Sequence, residues 1–542
     1  MNMPKKNEKA QKSVNQTFGL GEISGIFETH AKAAFGLAET HLSIMTPGNR
    51  ETQTPRHPNP FFARSVMSSE YRDFLELSYA ELEDLNLMAK EQRKQRVPAD
   101  VIKEERLKYL TDEPRIKAVI VVFSDLEGRL HMLDYDKKFL VKSYDNLTFD
   151  GSSIRGFTAQ KESDLRLGID WGSFYWTPAD VFGPGKVLVF GEVIDKNGEP
   201  YSGDIRGVLK QFSKEMYEKN GYTLNAANEI EGFLFEGIDA ERSYHDASSF
   251  EYVNTGGYYH SLPGDPLREF IDATAEVQRA MGFQNEKDHP EVAPSQFEIN
   301  YGYGEVVAAA DQIQLYKLIC RTVATQMGMT ASFLPKPVVG VNGSGMHTNV
   351  SVSKGAKNLF WDPKGEEKLS KVGWSFVDKI LTHGNDICLL LNPSVNAYRR
   401  LDPHFEAPNQ IKASAVDRGS MIRIPIGNEK SMRVEVRSVA PDANPYLVLY
   451  SIFKTGLDGD TSKLKNLRQA ERYLPDNIYT ALENFQKADW TTKLLGADVK
   501  ARYADLKQAS ADRCARALGT FVKPAEVQYH HEVYNQFLWN LF

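Results

Sequence analysis

The chain has 542 residues, of which 41% are hydrophobic, so it is long enough for several domains or one large core with appendages. Its formal net charge is -7 and its lysines and arginines are dispersed, which argues against nucleic acid as a partner. Only three cysteines occur and no apolar run approaches the length of a membrane span. We therefore expect a cytoplasmic protein without a disulfide framework or a membrane partner.

Residues 1–113 form the first predicted region, an N-terminal extension made of a mobile arm followed by helices. The segment 47–60 is rich in Pro, Asn and Thr, as linkers are, whereas 69–110 is charged with apolar residues at helical spacing. Lysines precede residue 13, but neither an arginine nor an apolar core follows as in a signal sequence, so a targeting peptide is not favoured.

Two further regions follow the extension. In 114–204, the apolar run Ile116–Phe123, the turn 125–128 and the segment Arg129–Leu133 predict a hairpin in a small β domain. In 205–542, helical periodicity over Ile205–Asn220 ends at Gly221, and strand-like and helical segments then alternate. The sequence therefore predicts an α+β protein with a small β domain and a larger catalytic domain.

Four glutamates occur in pairs whose spacing is informative. Glu229 and Glu231 are two apart, so in a strand their carboxylates share a face, where repulsion is costly unless a cation lies between them. The alternative for this pair is a solvated strand face. Glu291 and Glu298 are seven apart with Pro294 between them, so a bend is needed to align them, and each on its own reads as a surface glutamate.

Further acidic and basic residues lie downstream. His347 follows a Gly-Ser-Gly turn, and a lone histidine is usually a packed or solvent-exposed residue. Glu435 lies between Arg433 and Arg437 in strict alternation, which indicates either a salt-bridge ladder or a carboxylate holding a metal beside arginines that hold phosphate. Five carboxylates and one imidazole suggest a dimetal site for Mg²⁺ or Mn²⁺.

Three other segments are recognisable by their residues: Phe149–Phe157 with the sequence FDGSSIRGF, Gly256–Tyr258, and the Pro-stiffened loop 396–408 around Glu406. Together with the glutamates and the histidine they resemble the type I glutamine synthetases of bacteria and archaea, in the right order from Phe149 to Leu447. The resemblance implies that 114–204 is a β-grasp domain and that 205–542 is a glutamine synthetase-type catalytic domain with an antiparallel sheet and helices.

The resemblance also implies roles for individual residues. One metal would be held by Glu231, Glu291 and Glu298, and the other by Glu229, His347 and Glu435. Ammonium binding and catalysis would involve Asp150, Tyr258, Arg418 and the flap residue Glu406; the amino-acid substrate would be bound by Asn342, Gly343, Arg400 and Arg437; and ATP and the transferred phosphoryl group would be contacted by Ser351, Arg418, Arg423, Arg433 and Arg437.

The activity implied is ATP-dependent ligation of ammonia to L-glutamate through a γ-glutamyl phosphate, with Mg²⁺ or Mn²⁺ as cofactor and glutamate, ammonium and ATP as substrates. Enzymes of this family share active sites between subunits, so a homododecamer of two hexameric rings is expected, with Asp150 reaching a neighbouring subunit. The extension is longer than type I enzymes generally carry, and we hypothesise that its helices mediate contacts between subunits or rings.

The chain departs from the family at several positions. Ser295 stands where glycine is usual, Phe297 where histidine or asparagine is, Ala413 where tryptophan is, and Asp417-Arg418-Gly419 replaces Asn-Arg-Ser. The segment 459–474 does not match the tyrosine loop that is adenylylated in some members, so such control is not expected.

Three rival interpretations remain. A glutamate–amine ligase would generally alter the ammonium pocket, so retention of Asp150 and Tyr258 counts against it. A noncatalytic structural relative would have lost active-site residues, yet all six expected metal ligands survive. A third interpretation is that only the fold is shared.

Overall fold

The computed structural model describes residues 77–158, 163–241, 250–260, 262–401, 407–461 and 471–512. The arm predicted before residue 77, the flap residue Glu406 and the C-terminal tail lie outside these ranges. Within them, every helix is either too short or too polar to cross a lipid bilayer.

Two helices precede the first sheet. They span Tyr79–Lys94 and Ala99–Asp112, and the first begins with a capping box in which the Ser78 hydroxyl accepts from the Glu81 amide and the Glu81 carboxylate accepts from the Ser78 amide. Their buried residues, among them Leu82 and Leu110, belong to the same apolar core as strands of the small sheet.

The small sheet has six strands in the described part of the chain: β1 Ala118–Ser124, β2 Leu130–Asp136, β3 Leu147–Asp150, β4 Asp164–Ile169, β5 Tyr175–Trp176 and β6 Lys186–Ile194. Their order is β2-β1-β6-β4-β3, with β5 on β6, and only the β1–β6 pair is parallel. The predicted hairpin is confirmed as β1 and β2. Two short helices, Lys137–Ser143 and Ala179–Phe182, complete this region.

The large sheet has ten strands in the described residues: β7 Tyr222–Glu236, β8 Asn285–Pro290, β9 Gln296–Tyr301, β10 Gly304–Glu305, β11 Met329–Ser332, β12 Met346–Lys354, β13 Lys357–Asn358, β14 Gln410–Ser414, β15 Ser420–Arg423 and β16 Val434–Val436. The main order is β14-β15-β16-β12-β7-β9-β8, and β7 also pairs with β10 and β11. All these pairs are antiparallel except β14–β15.

Helices cover one side of this sheet and fill the main apolar core with it. The predicted helix Ile205–Asn220 is confirmed: the Asp204 carboxylate accepts from the Gly207 amide at its start, and Gly221 ends it with a φ of 70°, which glycine adopts without strain. In the described ranges the other α-helices of this region are Pro266–Ala280, Val306–Gln326, Lys371–Thr382, Gly384–Leu391, Val395–Arg400, Pro445–Asp458, Ile478–Lys487, Asp489–Leu495 and Ala497–Ala511.

One buried residue joins three parts of the molecule. Asn86, in the helix Tyr79–Lys94, donates to the carbonyl oxygens of Trp176 at 2.9 Å and Ala280 at 2.8 Å, and its own Oδ1 accepts from the Trp176 amide at 3.0 Å. The nitrogen and the oxygen of the Asn86 side chain are both hydrogen-bonded to backbone groups. Asn86 therefore connects the first helix to β5 and to the helix Pro266–Ala280.

A second connection is ionic. The guanidinium of Arg206 is fully buried and donates to Asp311 through two nitrogens, each at 2.8 Å, and to Asp170 at 2.8 Å. Tyr446 also donates to Asp311 at 2.8 Å. Asp170 follows β4, so this network ties the small sheet to the helices of the larger domain.

Candidate active site

The register of the large sheet brings the predicted acidic residues together on one face. Glu229 and Glu231 alternate along β7, as predicted, and directly opposed residues of neighbouring strands project to the same side. His347 of β12 lies opposite Glu229, Glu298 of β9 lies opposite Glu231, and His289 of β8 lies opposite Glu298.

The first group, which we call the His347 cluster, consists of Glu229, His347 and Glu435. One ligand atom from each lies within 4.8 Å of the others. His347 Nδ1 is 3.5 Å from Glu229 and 4.0 Å from Glu435. These are the three residues that the sequence predicted for one metal.

Arginines flank this cluster on the side of β16. Glu435 is fully buried and accepts from Arg437 at 2.6 Å and from Arg423 at 2.9 Å. Arg433 donates instead to Asn349 at 2.8 Å. Burial opposes ionisation of Glu229, but His347, Asn349 and Arg433 outweigh it and lower the pKa of Glu229 to about 2.

The second group, the His289 cluster, consists of His289, Glu291 and Glu298, whose ligand atoms also lie within 4.8 Å of one another. The sequence predicted Glu291 and Glu298 here together with Glu231, and it did not single out His289. Glu231 lies beside the cluster, and its carboxylate accepts from the Gly345 amide at 2.7 Å.

The electrostatics of the His289 cluster favour a bound cation. Burial and the charge of Glu231 raise the pKa values of Glu291 and Glu298 well above the ordinary glutamate value. Burial lowers the pKa of His289, whose Nε2 is buried without a hydrogen-bond partner in the described residues. Neutral imidazole and crowded carboxylate oxygens are donors that suit Mg²⁺ or Mn²⁺, so both clusters fit the predicted metals.

A glycine turn and a buried arginine adjoin the clusters. The Arg400 guanidinium donates to the carbonyl oxygens of Val439 at 3.1 Å and Arg437 at 3.0 Å, and burial lowers its pKa to about 10. A Cβ on Gly343 would lie 3.1 Å from the Arg400 side chain, and Asn342 precedes this glycine. Thus the four residues predicted for the amino-acid substrate, Asn342, Gly343, Arg400 and Arg437, lie in one neighbourhood.

Gln296 connects this turn to the hairpin of β8 and β9, and the sequence did not predict a role for it. Its side-chain amide donates to the Gly343 carbonyl at 3.0 Å and to the Ser344 hydroxyl at 3.2 Å, and it also approaches Glu231 at 3.4 Å. The sequence feature that could have pointed to Gln296 is its position between Glu291 and Glu298.

Tyr258 lies at the edge of the His289 cluster. Its ring stacks on that of Tyr259 with centroids 3.9 Å apart and meets the His289 ring edge-on at 5.5 Å. Burial, the hydrogen bond to Tyr259 and the charge of Glu291 raise the pKa of Tyr258. Tyr258 therefore lies against His289, in the cluster that also contains Glu291.

Other predicted residues are distributed differently. Asp150, at the end of β3, is exposed and accepts from Ser152 and Ser153, and no hydrogen bond among the described residues joins it to Tyr258. Ser351 shares the face of β12 with His347. Arg418 is exposed in the turn before β15, where no hydrogen bond within the described ranges links it to Glu435.

Two family models match this chain. One is described as the catalytic domain of glutamine synthetase and covers residues 202–522, and the other is described as its β-grasp domain and covers 115–196. The first alone spans more than half of the 542 residues. The chain belongs to the glutamine synthetase family. The predicted α+β class, with a β-grasp domain before the catalytic domain, is thereby confirmed, and the protein is an enzyme of the ligase class.

Individual relatives agree with this assignment. The glutamine synthetase of Staphylococcus aureus strain Mu50 is 36% identical, and that of Staphylococcus epidermidis 34%, over 440 residues that make up 77% of this chain and 96% of each relative. A cryo-EM structure of Plasmodium falciparum glutamine synthetase superposes with a TM-score of 0.69 at 21% identity, covering 80% of this chain and 98% of that one. A structure titled as a GmaS/ADP complex gives 0.67 at 24% identity, with 78% and 98% covered. At these identities the two structures bear on the fold alone.

Proposed function

We propose that this enzyme joins ammonia to the γ-carboxylate of L-glutamate with ATP as co-substrate, and forms L-glutamine through a γ-glutamyl phosphate. The observation that carries the proposal is the single sheet face on which the His347 cluster and the His289 cluster lie side by side, with Arg423 and Arg437 at its edge. Such a concentration of cation ligands and guanidinium groups suits a reaction that gathers a carboxylate and a triphosphate in one place.

The proposed metals are two or more Mg²⁺ or Mn²⁺ ions. The His347 cluster holds one, and Glu231, Glu291 and Glu298 hold the other, with His289 available as a further ligand. When bound, such cations stabilise negative charge on phosphoryl oxygens. The fit rests on the donor set, since every ligand atom offered is a carboxylate oxygen or an imidazole nitrogen.

Glutamate is proposed to bind with its α-carboxylate at Arg400, beside Asn342 and Gly343. The Arg400 guanidinium is held by two backbone carbonyl oxygens, so its position is fixed before a substrate arrives. Arg437 is similarly fixed through Glu435, and its buried Nε has no partner in the described part of the chain, which leaves a donor for an oxyanion. ATP and the phosphoryl group are assigned to Ser351, Arg418, Arg423, Arg433 and Arg437.

The proposed chemistry has two steps because a carboxylate is a poor electrophile. An oxygen of the γ-carboxylate attacks the γ-phosphorus of ATP, the bond to the ADP oxygen breaks, and an acyl phosphate results. The nitrogen of ammonia then attacks the acyl carbon, the carbon–oxygen bond to phosphate breaks, and the proton that the nitrogen loses ends on the released phosphate. Arg423 and Arg437 offset the charge of the transferred group, and Glu406 is proposed to close over it.

The nitrogen nucleophile is assigned to the neighbourhood of Tyr258 and Glu291, where an aromatic ring and a carboxylate adjoin. Asp150 is proposed to take the proton that ammonium loses. Among the described residues, its carboxylate accepts hydrogen bonds from the two serines that follow it, which supports a site completed by a neighbouring subunit. A homododecamer of two hexameric rings is the assembly proposed.

Purified enzyme supplied with ATP, Mg²⁺ and glutamate tests this function. Phosphate release and glutamine formation are measured with ammonium and with a panel of organic amines, and Glu291→Ala serves as the inactive control. Ammonium-dependent glutamine formation is expected. Turnover with organic amines alone would identify a glutamate–amine ligase, and no turnover with any amine would identify a noncatalytic relative.

The intermediate is tested separately by positional isotope exchange. ATP labelled with ¹⁸O in its β,γ-bridge is incubated with enzyme and glutamate in the absence of ammonium. A reversible transfer of the phosphoryl group to glutamate scrambles the label, because the β-phosphate of enzyme-bound ADP rotates. Retention of the label in the bridge, with an enzyme that turns over when ammonium is added, would argue against the acyl phosphate.

A further inference from the structure

The turn between β8 and β9 contains a serine in a conformation that favours glycine. Ser295 has a φ of 60° and its side chain is completely buried. Left-handed backbone is uncommon for residues with a Cβ, since the Cβ crowds the following carbonyl oxygen. A buried serine at such a position needs a compensating interaction, and its hydroxyl has one.

The hydroxyl of Ser295 holds a neighbouring loop. Its Oγ accepts from the amide of Val253 at 2.7 Å and from that of Asn254 at 3.2 Å. The interaction is reciprocal, because the Ser295 amide donates to Oδ1 of Asn254 at 2.8 Å. A glycine in this turn would relieve the backbone, but it would leave the two loop amides without this acceptor.

Asn254 extends the connection in both directions. Its Oδ1 also accepts from the Gly256 amide at 3.1 Å, and its side-chain nitrogen donates to Asp265 at 3.2 Å. Asp265 in turn caps the helix Pro266–Ala280 by accepting from the Leu267 amide at 3.0 Å. The loop is therefore anchored to a helix at one side and to the metal-site turn at the other.

The loop held in this way is the one that carries Tyr258. At Gly256 the chain passes so close to the turn that a Cβ would lie 2.6 Å from the Pro294 nitrogen. The Tyr259 amide then donates to the Pro290 carbonyl at 3.2 Å. Backbone contacts on either side of Tyr258 and Glu291 consequently set the spacing between these two residues. The side-chain hydrogen bonds of Ser295 and Asn254 add to these backbone contacts.

We propose that Ser295 and Asn254 form a clamp of positioning residues, which fixes the Tyr258 loop against the Glu291 turn and thereby sets the affinity for the nitrogen nucleophile. Neither residue touches the reacting atoms; both act through Tyr258. The proposal rests on the proposed function, since it assigns the nitrogen site to Tyr258 and Glu291.

The test compares Ser295→Ala, which keeps the strained backbone and loses the hydroxyl, with Ser295→Gly, which loses both, in the full-length protein. Asn254→Ala removes the other half of the clamp, and Ser173→Ala is the matched control. Ser173 is a buried serine whose hydroxyl likewise accepts a backbone amide, from Phe190 at 2.9 Å in the small sheet. Two measurements are made on each: amide hydrogen exchange of the segment 250–260, and steady-state kinetics.

Each clamp variant should speed the exchange of the amides whose acceptor it removes by at least about tenfold, because a buried bond is lost. These are the amides of Val253 and Asn254 in Ser295→Ala and Ser295→Gly, and the amide of Gly256 in Asn254→Ala. The KM for ammonium rises about tenfold, whereas the KM for glutamate and that for ATP stay within about twofold of the parent values. The contrast between the KM for ammonium and the KM values for glutamate and ATP separates positioning from general destabilisation. Ser173→Ala leaves all three KM values and the exchange of the segment 250–260 unchanged.

Unchanged exchange in Ser295→Ala and Ser295→Gly would overturn the clamp, and so would faster exchange with an unaltered KM for ammonium. If Ser295→Ala does not fold, the glycine variant decides, because its backbone is unstrained. The proposed function is tested on the unmodified enzyme alone. If that enzyme does not use ammonium, the function and the assignment of the nitrogen site are both refuted. If it does, but the variants do not show the changes expected of them, only the clamp is refuted.

Discussion

Replacing Glu298 by glutamine is expected to stabilise the metal-free enzyme while it removes a proposed metal ligand. The carboxyl is buried, and burial together with the charges of Glu231, Glu229 and Glu291 raises its pKa from 4.5 to about 9. In the metal-free folded protein it therefore holds a proton at neutral pH, whereas in the unfolded chain it ionises. At pH 7 the carboxylate of Glu298 consequently has to take up a proton when the metal-free chain folds.

The magnitude follows from linkage. Holding a proton on a group of ordinary pKa 4.5 costs about 1.4 kcal/mol for each pH unit above that value, which amounts to about 3 kcal/mol at pH 7. Because the raised pKa lies above the unfolded one, this cost is absent below pH 4.5 and grows until the pH reaches about 9. Glutamine cannot ionise, so Glu298→Gln removes the cost, and it retains an oxygen that can accept from Asn300.

Urea unfolding after treatment with a chelator, at fixed protein concentration, measures the effect. At pH 7 the free energy of unfolding of Glu298→Gln should exceed that of the parent by about 3 kcal/mol, and the difference should shrink towards pH 4.5. Added Mn²⁺ should stabilise the parent more than the variant. Glu286→Gln, an exposed glutamate on the same hairpin, supplies the charge-matched control. A less stable metal-free Glu298→Gln, or an undiminished gain from Mn²⁺, would refute the reasoning.

Three other outcomes are expected. Arg206→Met leaves the buried carboxylate of Asp311 and the partly buried carboxylate of Asp170 without their guanidinium, and should lower the free energy of unfolding by about 3 to 5 kcal/mol in urea. Cation binding should tighten as the pH rises, since protons must leave Glu291, with a pKa raised to about 7, and Glu298; calorimetric titration with Mn²⁺ at pH 6 and pH 8 measures this. Arg400→Ala should raise the KM for glutamate at least about tenfold, in the same phosphate-release assay used for the parent.

Each of these can fail in a distinct way. An Arg206→Met protein as stable as the parent would mean that the ion network contributes no net stability. Affinity for Mn²⁺ that is flat or falls between pH 6 and pH 8 would contradict the displacement of protons from the His289 cluster. An increase in KM for ATP rather than glutamate in Arg400→Ala would place the guanidinium on the nucleotide side of the site.

Much of the site could be predicted because it depends on periodicity along one strand. Glu229 and Glu231 share a face for the same reason that any two residues two apart on a strand do, and β7 is a strand over its whole length. The end of the helix Ile205–Asn220 could likewise be predicted from Gly221, because glycine adopts the positive φ found there without strain. Both signals are local, so one sequence contains them.

What could not be predicted depends on register between strands. His289 joins Glu291 and Glu298 because β8 and β9 pair so that it lies opposite Glu298, and that pairing is set by the turn around Ser295. The alternation of Arg433, Glu435 and Arg437 also predicted the partners of Glu435 only in part. Arg437 contacts Glu435 as expected, but Arg433 donates to Asn349, and the second arginine that contacts Glu435 is Arg423 of β15. Neither the β8–β9 register nor the contacts between strands at Glu435 can be recognised from periodicity along one segment of the sequence.

Asn86 bears on where this protein can be cut. The family match begins at residue 115, and a truncation designed on that boundary would delete a side chain that satisfies the buried backbone of Trp176 and Ala280. It would also remove Leu82 and Leu110 from the apolar core that they share with the small sheet. The region that matches the family thus begins later in the chain than the region that packs into the folded core. A shortened protein made to probe the arm should therefore begin before Leu77.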